Sequence, residues 1–287
     1  VGADIRASAQ RRHRGMRYAL GTASLTQIRN LVSGRPMLAF DIDGTLAPIV
    51  AEPWRAHISE ELRACLRSLA AITPVAIITG RAVKDARPLL GFSPHYVVGN
   101  HGAEGIPGFE AQSAGFQRVC AAWLAELGAT PDARGWRAMP GIMLEDKQYS
   151  LSFHYRHVAR PALARQLLEQ RVGRLVPTPD IVHGKRVLNL LPPDAPHKGE
   201  ALQSLLGLSG CARAMYIGDD VTDEDVFRMR MPEVLSIRVG RKRKSAAEMY
   251  LKNQSEVSRL VRRLVAMLDG GRQPSRPLGA NAVPTPR

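Results

Sequence analysis

The chain has 287 residues, of which 45% are hydrophobic, and its formal net charge is +14. This length and composition provide a sizeable core and favour more than one domain. They argue against a membrane protein, since no apolar run approaches the roughly 20 residues that cross a bilayer. The three cysteines are widely spaced and show no metal-ligand pattern, which indicates reduced thiols in a cytoplasmic protein.

Positive charge concentrates in two segments. Residues 1–35 are predicted to form a basic, partly helical arm that lacks the apolar stretch of a secretory signal. Arg6–Arg14 within this arm, and the later run Arg241–Lys244, could bind nucleic acid through phosphate contacts. We interpret both runs as solvated and expect no nucleic-acid partner, because an aromatic content of 5% leaves few stacking platforms. A basic field can also steer an anionic substrate.

The first apolar run is followed by paired carboxylates. The run Pro36–Phe40 is followed by turn residues, which is typical of a buried strand. Asp41 and Asp43 therefore lie at the carboxyl end of a strand, on the same side, where parallel sheets hold their ligands. Gly44 permits a tight turn and close approach to a ligand. The pattern favours a divalent metal beside an aspartate nucleophile, and the alternative is an acidic turn that caps a helix.

A helix and two further strands continue this α/β pattern. Glu60–Leu69 carries an apolar stripe at helical spacing. Val75–Ile78 predicts a strand that ends at Thr79, whose hydroxyl can donate to a phosphoryl oxygen or cap the next helix. The strand His95–Val98 precedes the loop Gly99–Glu104.

Residues 110–192 have a different order of elements. The helices and strands predicted there, in chain order, are Phe116–Leu127, Gly141–Met143, Ser150–His154, Pro161–Val172 and Val187–Leu191. This α-β-β-α-β series predicts an inserted domain at 110–192, which interrupts a core formed by 36–109 and 193–268.

The core resumes with a lysine and a second acidic cluster. Lys198 lies in the first turn of a predicted helix, where a solvated lysine is the ordinary interpretation and a phosphate contact is the functional one. Ala214–Ile217 predicts a buried strand, and four carboxylates follow in the six residues 219–224. Such a run is electrostatically costly without a cation. Both acidic clusters can converge on one Mg²⁺ if their strands are neighbours.

The end of the chain is predicted to contain a strand near Ile237 and a helix over Glu256–Leu268. The segment 269–287 is rich in proline, glycine and arginine, so we predict a disordered tail.

Four elements, in this order, resemble the haloacid dehalogenase superfamily of phosphohydrolases. They are Asp41-x-Asp43-Gly44-Thr45, Thr79, Lys198 and Gly218-Asp219-Asp220-x-Thr222-Asp223. The resemblance implies a Rossmann-like doubly wound parallel sheet core with an inserted α+β cap. It also implies that Asp41 attacks phosphorus, that Asp43 protonates the leaving alcohol and then activates water, and that Thr79 and Lys198 bind phosphoryl oxygens.

The same resemblance implies a magnesium site. Mg²⁺ would be held by Asp41, by the backbone carbonyl of Asp43 and by Asp219. Asp220 or Asp223 would contribute directly or through water.

Longer motifs are similar to the trehalose-6-phosphate phosphatase family, from about Leu38 to about Leu268. They are Gly99-Asn100-His101-Gly102-Ala103-Glu104, Phe153-His154-Tyr155-Arg156, Gly184-Lys185, Gly218–Phe227 and Ile237-Arg238-Val239-Gly240. This likeness implies hydrolysis of a phosphorylated disaccharide in trehalose biosynthesis and a functional link to trehalose-6-phosphate synthase. The implied substrate-binding candidates are Gly44, Thr45, Gly80, Arg81, His101, Glu104, Glu145, Lys147, Arg156, Lys185 and Asn189.

Alternatives stay open at this point. Asn189 departs from the family pattern, because many members carry a glutamate there; an amide keeps hydrogen bonding but loses the charge. His101 and Glu104 could equally order the loop between core and cap. A related phosphatase acting on sucrose 6-phosphate or a mannosyl-phosphoester would share the same motifs. A basic nucleic-acid-binding or regulatory protein with a vestigial phosphatase core is the alternative from another class.

Overall fold

The computed structural model describes residues 15–50, 52–129 and 136–269. Arg6–Arg14 and residues 270–287 of the predicted tail lie outside the described residues. The strands are β1 (Arg17–Tyr18), β2 (Met37–Phe40), β3 (Val75–Ile78), β4 (Tyr96–Val98), β5 (Met143–Asp146), β6 (Leu151–His154), β7 (Asp180–Gly184), β8 (Val187–Leu191), β9 (Ala214–Gly218), β10 (Val234–Val239) and β11 (Met249–Leu251). The α-helices are α1 (Thr22–Val32), α2 (Glu60–Ala70), α3 (Val83–Leu90), α4 (Glu110–Ala129), α5 (Pro161–Val172), α6 (Lys198–Ser209), α7 (Glu224–Met229) and α8 (Ser255–Asp269).

A parallel sheet forms the core, with the strand order β1-β11-β10-β9-β2-β3-β4 among the described residues. Its central strand β2 is buried along its whole length. Leu38 and Phe40 face a cluster with α1, α2, α3 and α8, whereas Met37 and Ala39 face a cluster with α6 and α7. Helices therefore cover both faces, which explains why these strands are continuous apolar runs. The predicted doubly wound core is confirmed.

The sheet register brings distant sequence segments to one edge. Phe40 is opposite Ile77 on one side of β2 and opposite Ile217 on the other. The residues that follow β2, β3 and β9 consequently emerge next to each other, at the carboxyl ends of three neighbouring parallel strands. This edge is where open α/β sheets bind ligands.

A second sheet is antiparallel and has the order β5-β6-β8-β7. It packs against α4 and α5 through a separate apolar cluster that includes Trp123, Phe153 and Leu168. These elements all fall between β4 and α6, so the inserted α+β cap is confirmed. The domain limits themselves stay predictions.

Several elements differ from the sequence-based predictions. The strand predicted at Gly141–Met143 lies further on, at β5, because Gly141 has a φ of +92° that a strand does not accommodate. β7 was missed; its side chains are only partly buried, so it lacks an apolar run. The short strands β1, at the edge of the sheet, and β11, next to it, were also missed, because two or three residues show no periodicity. The described part of the predicted arm packs on the core through β1 and α1.

Across the described ranges, every helix is too short or too polar to cross a bilayer.

Helix α8 contributes an apolar face to the core, where it packs on α1 and α2. Leu260 on this face is 0% exposed, so Leu260→Ala leaves a cavity that should lower the free energy of unfolding by about 2 to 5 kcal/mol. Urea denaturation followed by circular dichroism measures this loss. Arg263→Ala, at an exposed position of the same helix, should change it by less than about 0.5 kcal/mol. Equal losses in both variants would contradict the packing described.

Candidate active site

Three carboxylates meet at the carboxyl edge of the parallel sheet. Asp41 follows β2, and Asp219 and Asp223 follow β9. One carboxylate oxygen of each lies within 4.8 Å of those of the other two. The two acidic clusters predicted from sequence therefore do converge.

Lys198 supplies the buried positive charge of this group. Its side chain is 2% exposed, and its Nζ lies 2.9 Å from Asp41 Oδ1 and 2.8 Å from Asp223 Oδ1. Lys198 begins helix α6, whose N-terminus is capped by His197 and Glu200 in a reciprocal capping box. The ordinary interpretation, a solvated surface lysine, is therefore wrong for this residue.

Asp223 organises the loop after β9. Its Oδ1 accepts hydrogen bonds from Lys198 and from the Tyr216 hydroxyl, at 2.8 and 2.6 Å. Its Oδ2 accepts from the backbone N–H groups of Asp219 and Asp220, both at 2.8 Å. A side chain at Gly218 would overlap this carboxylate, so the loop requires glycine there. Both oxygens of Asp223 are thus engaged in holding Lys198 and the loop.

Asp219 differs from the other two carboxylates in its contacts. Its buried Oδ1 meets no hydrogen-bond donor in the described part of the chain. Gly44, whose φ is +83°, allows this close approach, because a side chain there would overlap the Asp219 carboxylate. Burial raises the pKa of Asp219 to about 8, and the carboxylates of Asp41 and Asp223 add to the shift.

The charge balance of the cluster fits a bound divalent cation. Burial raises the pKa of Asp41 to about 7, although the ammonium of Lys198 opposes the shift. A single buried lysine therefore does not offset the carboxylates around it, and one carboxylate oxygen is unpaired. Hard oxygen donors of this kind suit Mg²⁺ or a similar ion. The side chain of Asp220 is exposed.

Asp43 points to the mouth of the site and is held by Arg81. The guanidinium donates two hydrogen bonds of 2.6 Å to the carboxylate, one from Nε and one from Nη2. This two-point contact is the strong geometry for an arginine–carboxylate pair. Asp43 is 39% exposed while Arg81 is 13% exposed, so the carboxylate of this pair is open to solvent.

The residues after β3 line the same edge. Thr79 is buried, and its hydroxyl oxygen accepts a 3.3 Å hydrogen bond from the backbone of Arg81. A side chain at Gly80 would overlap the ring of His101. Burial, together with the nearby ammonium groups of Lys198 and Lys147, lowers the pKa of His101 well below its ordinary value. The ring is therefore neutral.

Two predicted binding residues make contacts that do not involve the acidic cluster. Glu104 Oε2 accepts 2.8 Å hydrogen bonds from the Val83 backbone and from Asn100 Nδ2, so it orders its own loop. Thr45 is buried, its carbonyl accepts a hydrogen bond from Gln254, and its hydroxyl has no partner within the described residues.

Among the predicted cap residues, Lys147 contacts the core, and Glu145 lies beside it. Lys147 Nζ lies 3.3 Å from the carbonyl oxygen of Gly80 and 4.0 Å from Glu145 Oε2. Burial lowers the pKa of Lys147, and Glu145 opposes this shift. Glu145 also pairs with His154 at 2.6 Å.

The remaining cap candidates separate into two groups. Arg156 and Lys185 are exposed and line a cavity of about 400 Å³ together with Ile49 and Val50 of the core. Asn189 is buried, accepts a hydrogen bond from Ser152 and donates one to the carbonyl of Val182. These bonds of the amide lie inside the cap sheet.

Sequence reasoning missed the residues that support the acidic loop. Arg238 is buried and pairs with Glu224 at 2.9 Å. Its guanidinium also donates to the backbone carbonyls of Asp219 and Asp220. An arginine within the apolar run of β10 was the available signal, because charged side chains are rarely buried without a partner.

Comparison with known proteins gives a family match and several relatives of similar sequence. A family model described as trehalose-phosphatase matches residues 39–258. Trehalose-phosphate phosphatase B of Arabidopsis thaliana is 30% identical over 87% of this chain and 72% of its own length. Trehalose 6-phosphate phosphatase RA3 of Zea mays is 32% identical over 88% and 76%, and trehalose-phosphate phosphatase of Mycobacterium marinum is 31% identical over 82% and 62%.

Solved structures show the same fold. The C-terminal domain of Candida albicans trehalose-6-phosphate phosphatase has a TM-score of 0.66 at 19% identity, covering 88% of this chain and 99% of that one. Sucrose-phosphatase of Synechocystis has a TM-score of 0.54 at 18% identity, covering 82% and 98%. Taken with the family match, these findings show that the chain belongs to the trehalose-phosphatase family of phosphoric monoester hydrolases.

Proposed function

We propose that the chain is a Mg²⁺-dependent phosphatase that hydrolyses trehalose 6-phosphate to trehalose and phosphate. The observation that carries this proposal is the buried group of Asp41, Lys198 and Asp219, which lies at the edge of the sheet beside Thr79 and Asp43. The names of the relatives in plants and mycobacteria support the substrate. The link to a synthase and the cytoplasmic location stay predictions.

Asp41 is the proposed nucleophile. Lys198 engages its Oδ1, and the other carboxylate oxygen forms the bond to phosphorus while the bond from phosphorus to the sugar oxygen breaks. In the second step water attacks phosphorus, the bond to Asp41 breaks, and phosphate leaves. Thr79 and Lys198 would bind phosphoryl oxygens, because phosphoryl transfer depends mainly on positioning and on neutralising charge.

Asp43 is the proposed acid and base. It gives a proton to the leaving sugar oxygen in the first step and accepts a proton from the attacking water in the second. Arg81 donates two hydrogen bonds to this carboxylate, which fix where it lies before substrate binds.

Asp41, Asp219 and the backbone carbonyl of Asp43 are the proposed holders of Mg²⁺. When bound, the ion would neutralise charge on the carboxylates and on the phosphoryl oxygens. Asp223 is better suited to hold Lys198 and the loop, because both of its oxygens already accept hydrogen bonds. Asp220, which is exposed, would contribute through water.

The cap is proposed to select the sugar. Lys147 contacts the Gly80 carbonyl at the catalytic edge, and Glu145 lies beside it. Arg156 and Lys185 line a cavity that residues of the core also line. Fixed charged groups around a closable cleft suit a molecule with many hydroxyls.

The substrate is tested with a panel of phosphate esters. Phosphate release from trehalose 6-phosphate should give a kcat/KM at least about tenfold above those for sucrose 6-phosphate and mannose 6-phosphate, since lost hydrogen bonds to a fitted site cost at least about 1.4 kcal/mol. A higher value for sucrose 6-phosphate would reassign the chain to that substrate.

Replacement of the nucleophile should stop turnover. Asp41→Asn removes the attacking oxygen, so kcat for trehalose 6-phosphate should fall by more than about 10³-fold. Near-ultraviolet circular dichroism should show retained tertiary structure, because asparagine has the same shape and can still accept from Lys198. Robust activity in a purified, folded variant would refute the role of Asp41.

Metal binding should be visible without turnover. Mg²⁺ at a hundred times its Kd should stabilise the folded protein by about 2.7 kcal/mol and so raise its Tm. Asp219→Asn should abolish this increase in Tm. Asp180→Asn changes the same charge at an exposed position of the cap edge strand and should keep the increase. A Tm of the wild-type protein that does not respond to Mg²⁺ would contradict the proposed site.

A further inference from the structure

The loop Gly99–Glu104 connects the catalytic edge to the cap, and Asn100 is at its centre. Asn100 is 0% exposed. Its backbone N–H donates a 2.8 Å hydrogen bond to the carbonyl of Arg81, the residue that holds Asp43.

The side chain of Asn100 bridges core and cap. Its Oδ1 accepts a hydrogen bond of 2.5 Å from Ser150 of the cap. Its Nδ2 donates to Glu104 Oε2 at 2.8 Å and to the backbone carbonyl of Lys147 at 3.4 Å. Both amide protons and the carbonyl oxygen are thus engaged, and in a buried site each lost bond leaves an expensive unpaired group.

The cap partners of Asn100 belong to one turn. Residues 147–150, the cap turn, join β5 to β6 and are closed by a 3.1 Å bond from Lys147 N to the carbonyl of Ser150. The same turn carries the side chain of Lys147 to within 3.3 Å of the Gly80 carbonyl. A bond at the base of this turn therefore controls where the Lys147 ammonium lies.

We propose that Asn100 is a specificity-determining positioning residue, which fixes the cap turn over the catalytic edge and so places Lys147 for recognition of a phosphorylated sugar. The inference rests on the proposed function for its substrate. The hydrogen bonds of Asn100 do not depend on the proposed function. An ester without a sugar makes no demand on the cap turn, whereas a sugar phosphate does.

The backbone of Asn100 permits a clean test. Its φ of +50° lies in the left-handed region, which glycine adopts without strain and most other residues do not. Asn100→Gly therefore removes the side chain and keeps the backbone. Ser150→Ala removes the cap side of the same bond. Ser113→Ala is the matched control, because Ser113 donates a buried 3.0 Å hydrogen bond to Ala103 of the same loop without touching Asn100.

Kinetics on two substrates measure selectivity. In Asn100→Gly, kcat/KM for trehalose 6-phosphate should fall by about 10- to 100-fold, as expected for a misplaced binding group. The value for para-nitrophenyl phosphate should change by less than about threefold, and Ser113→Ala should leave the ratio of the two unchanged, as for an independent site. A parallel fall for both substrates, or no fall for either, would overturn the proposal.

A double variant tests the coupling between the two residues. If Asn100 and Ser150 act through one bond, adding Ser150→Ala to Asn100→Gly should cause no further loss in kcat/KM for the sugar phosphate. Losses that add in full would mean that the two side chains act separately, which overturns the proposal.

Hydrogen exchange gives a readout that needs no substrate. The backbone amides of the cap turn should exchange at least about tenfold faster in Asn100→Gly than in the wild-type protein, and at the wild-type rate in Ser113→Ala. Unchanged exchange in Asn100→Gly would refute the positioning role. The wild-type protein could release no phosphate from trehalose 6-phosphate while the cap turn still exchanges faster in Asn100→Gly. That result would contradict the proposed function and would support the positioning role.

Discussion

The buried ammonium of Lys198 constrains the whole site. Burial alone would lower the pKa of Lys198, but the carboxylates of Asp223 and Asp41 outweigh it and raise the pKa. A buried charge with one partner removed is strongly destabilising, whereas a fully paired one is tolerated. The carboxylates at the ends of β2 and β9 must therefore stay close to the helix that begins at Lys198. Asp41 precedes the inserted cap in the chain, whereas Lys198 and Asp223 follow it. Their ion pairs therefore hold the two segments of the core together.

The acidic loop after β9 is held by hydrogen bonds to the backbone groups of Asp219 and Asp220. Asp223 accepts from the N–H groups of Asp219 and Asp220, while Arg238 donates to the carbonyls of the same two residues. Asp219 is thereby presented with a carboxylate oxygen that no donor in the described part of the chain satisfies. An anionic group held in this way is suited to a metal ion, since the folded chain already bears the cost of ordering the ligands.

The cap contacts the core at the catalytic edge. Lys147 meets the Gly80 carbonyl, and Asn100 joins the loop after β4 to the turn that carries Lys147. With the proposed function, recognition of the sugar and cleavage of the phosphate ester would be linked through a few buried hydrogen bonds. Weakening them should alter selectivity before it alters the chemistry, because the groups proposed to act on phosphorus all belong to the core.

Local sequence determined the strands β2, β3 and β9 and the polar groups at their ends, because a buried parallel strand must be an apolar run and its carboxyl end must carry the ligands. It also predicted α2 from its apolar spacing, and it gave the range of α5. It could not show that Lys198 is buried, because a lysine in a first helical turn is ordinarily solvated and its partners are distant in the chain. Nor could it show that the side-chain amide of Asn189 forms its hydrogen bonds within the cap sheet, or that Asn100 accepts a hydrogen bond from Ser150. Those outcomes were decided by tertiary structure, since hydrogen bonds between remote residues depend on how the two sheets are placed and leave no periodic pattern in the chain.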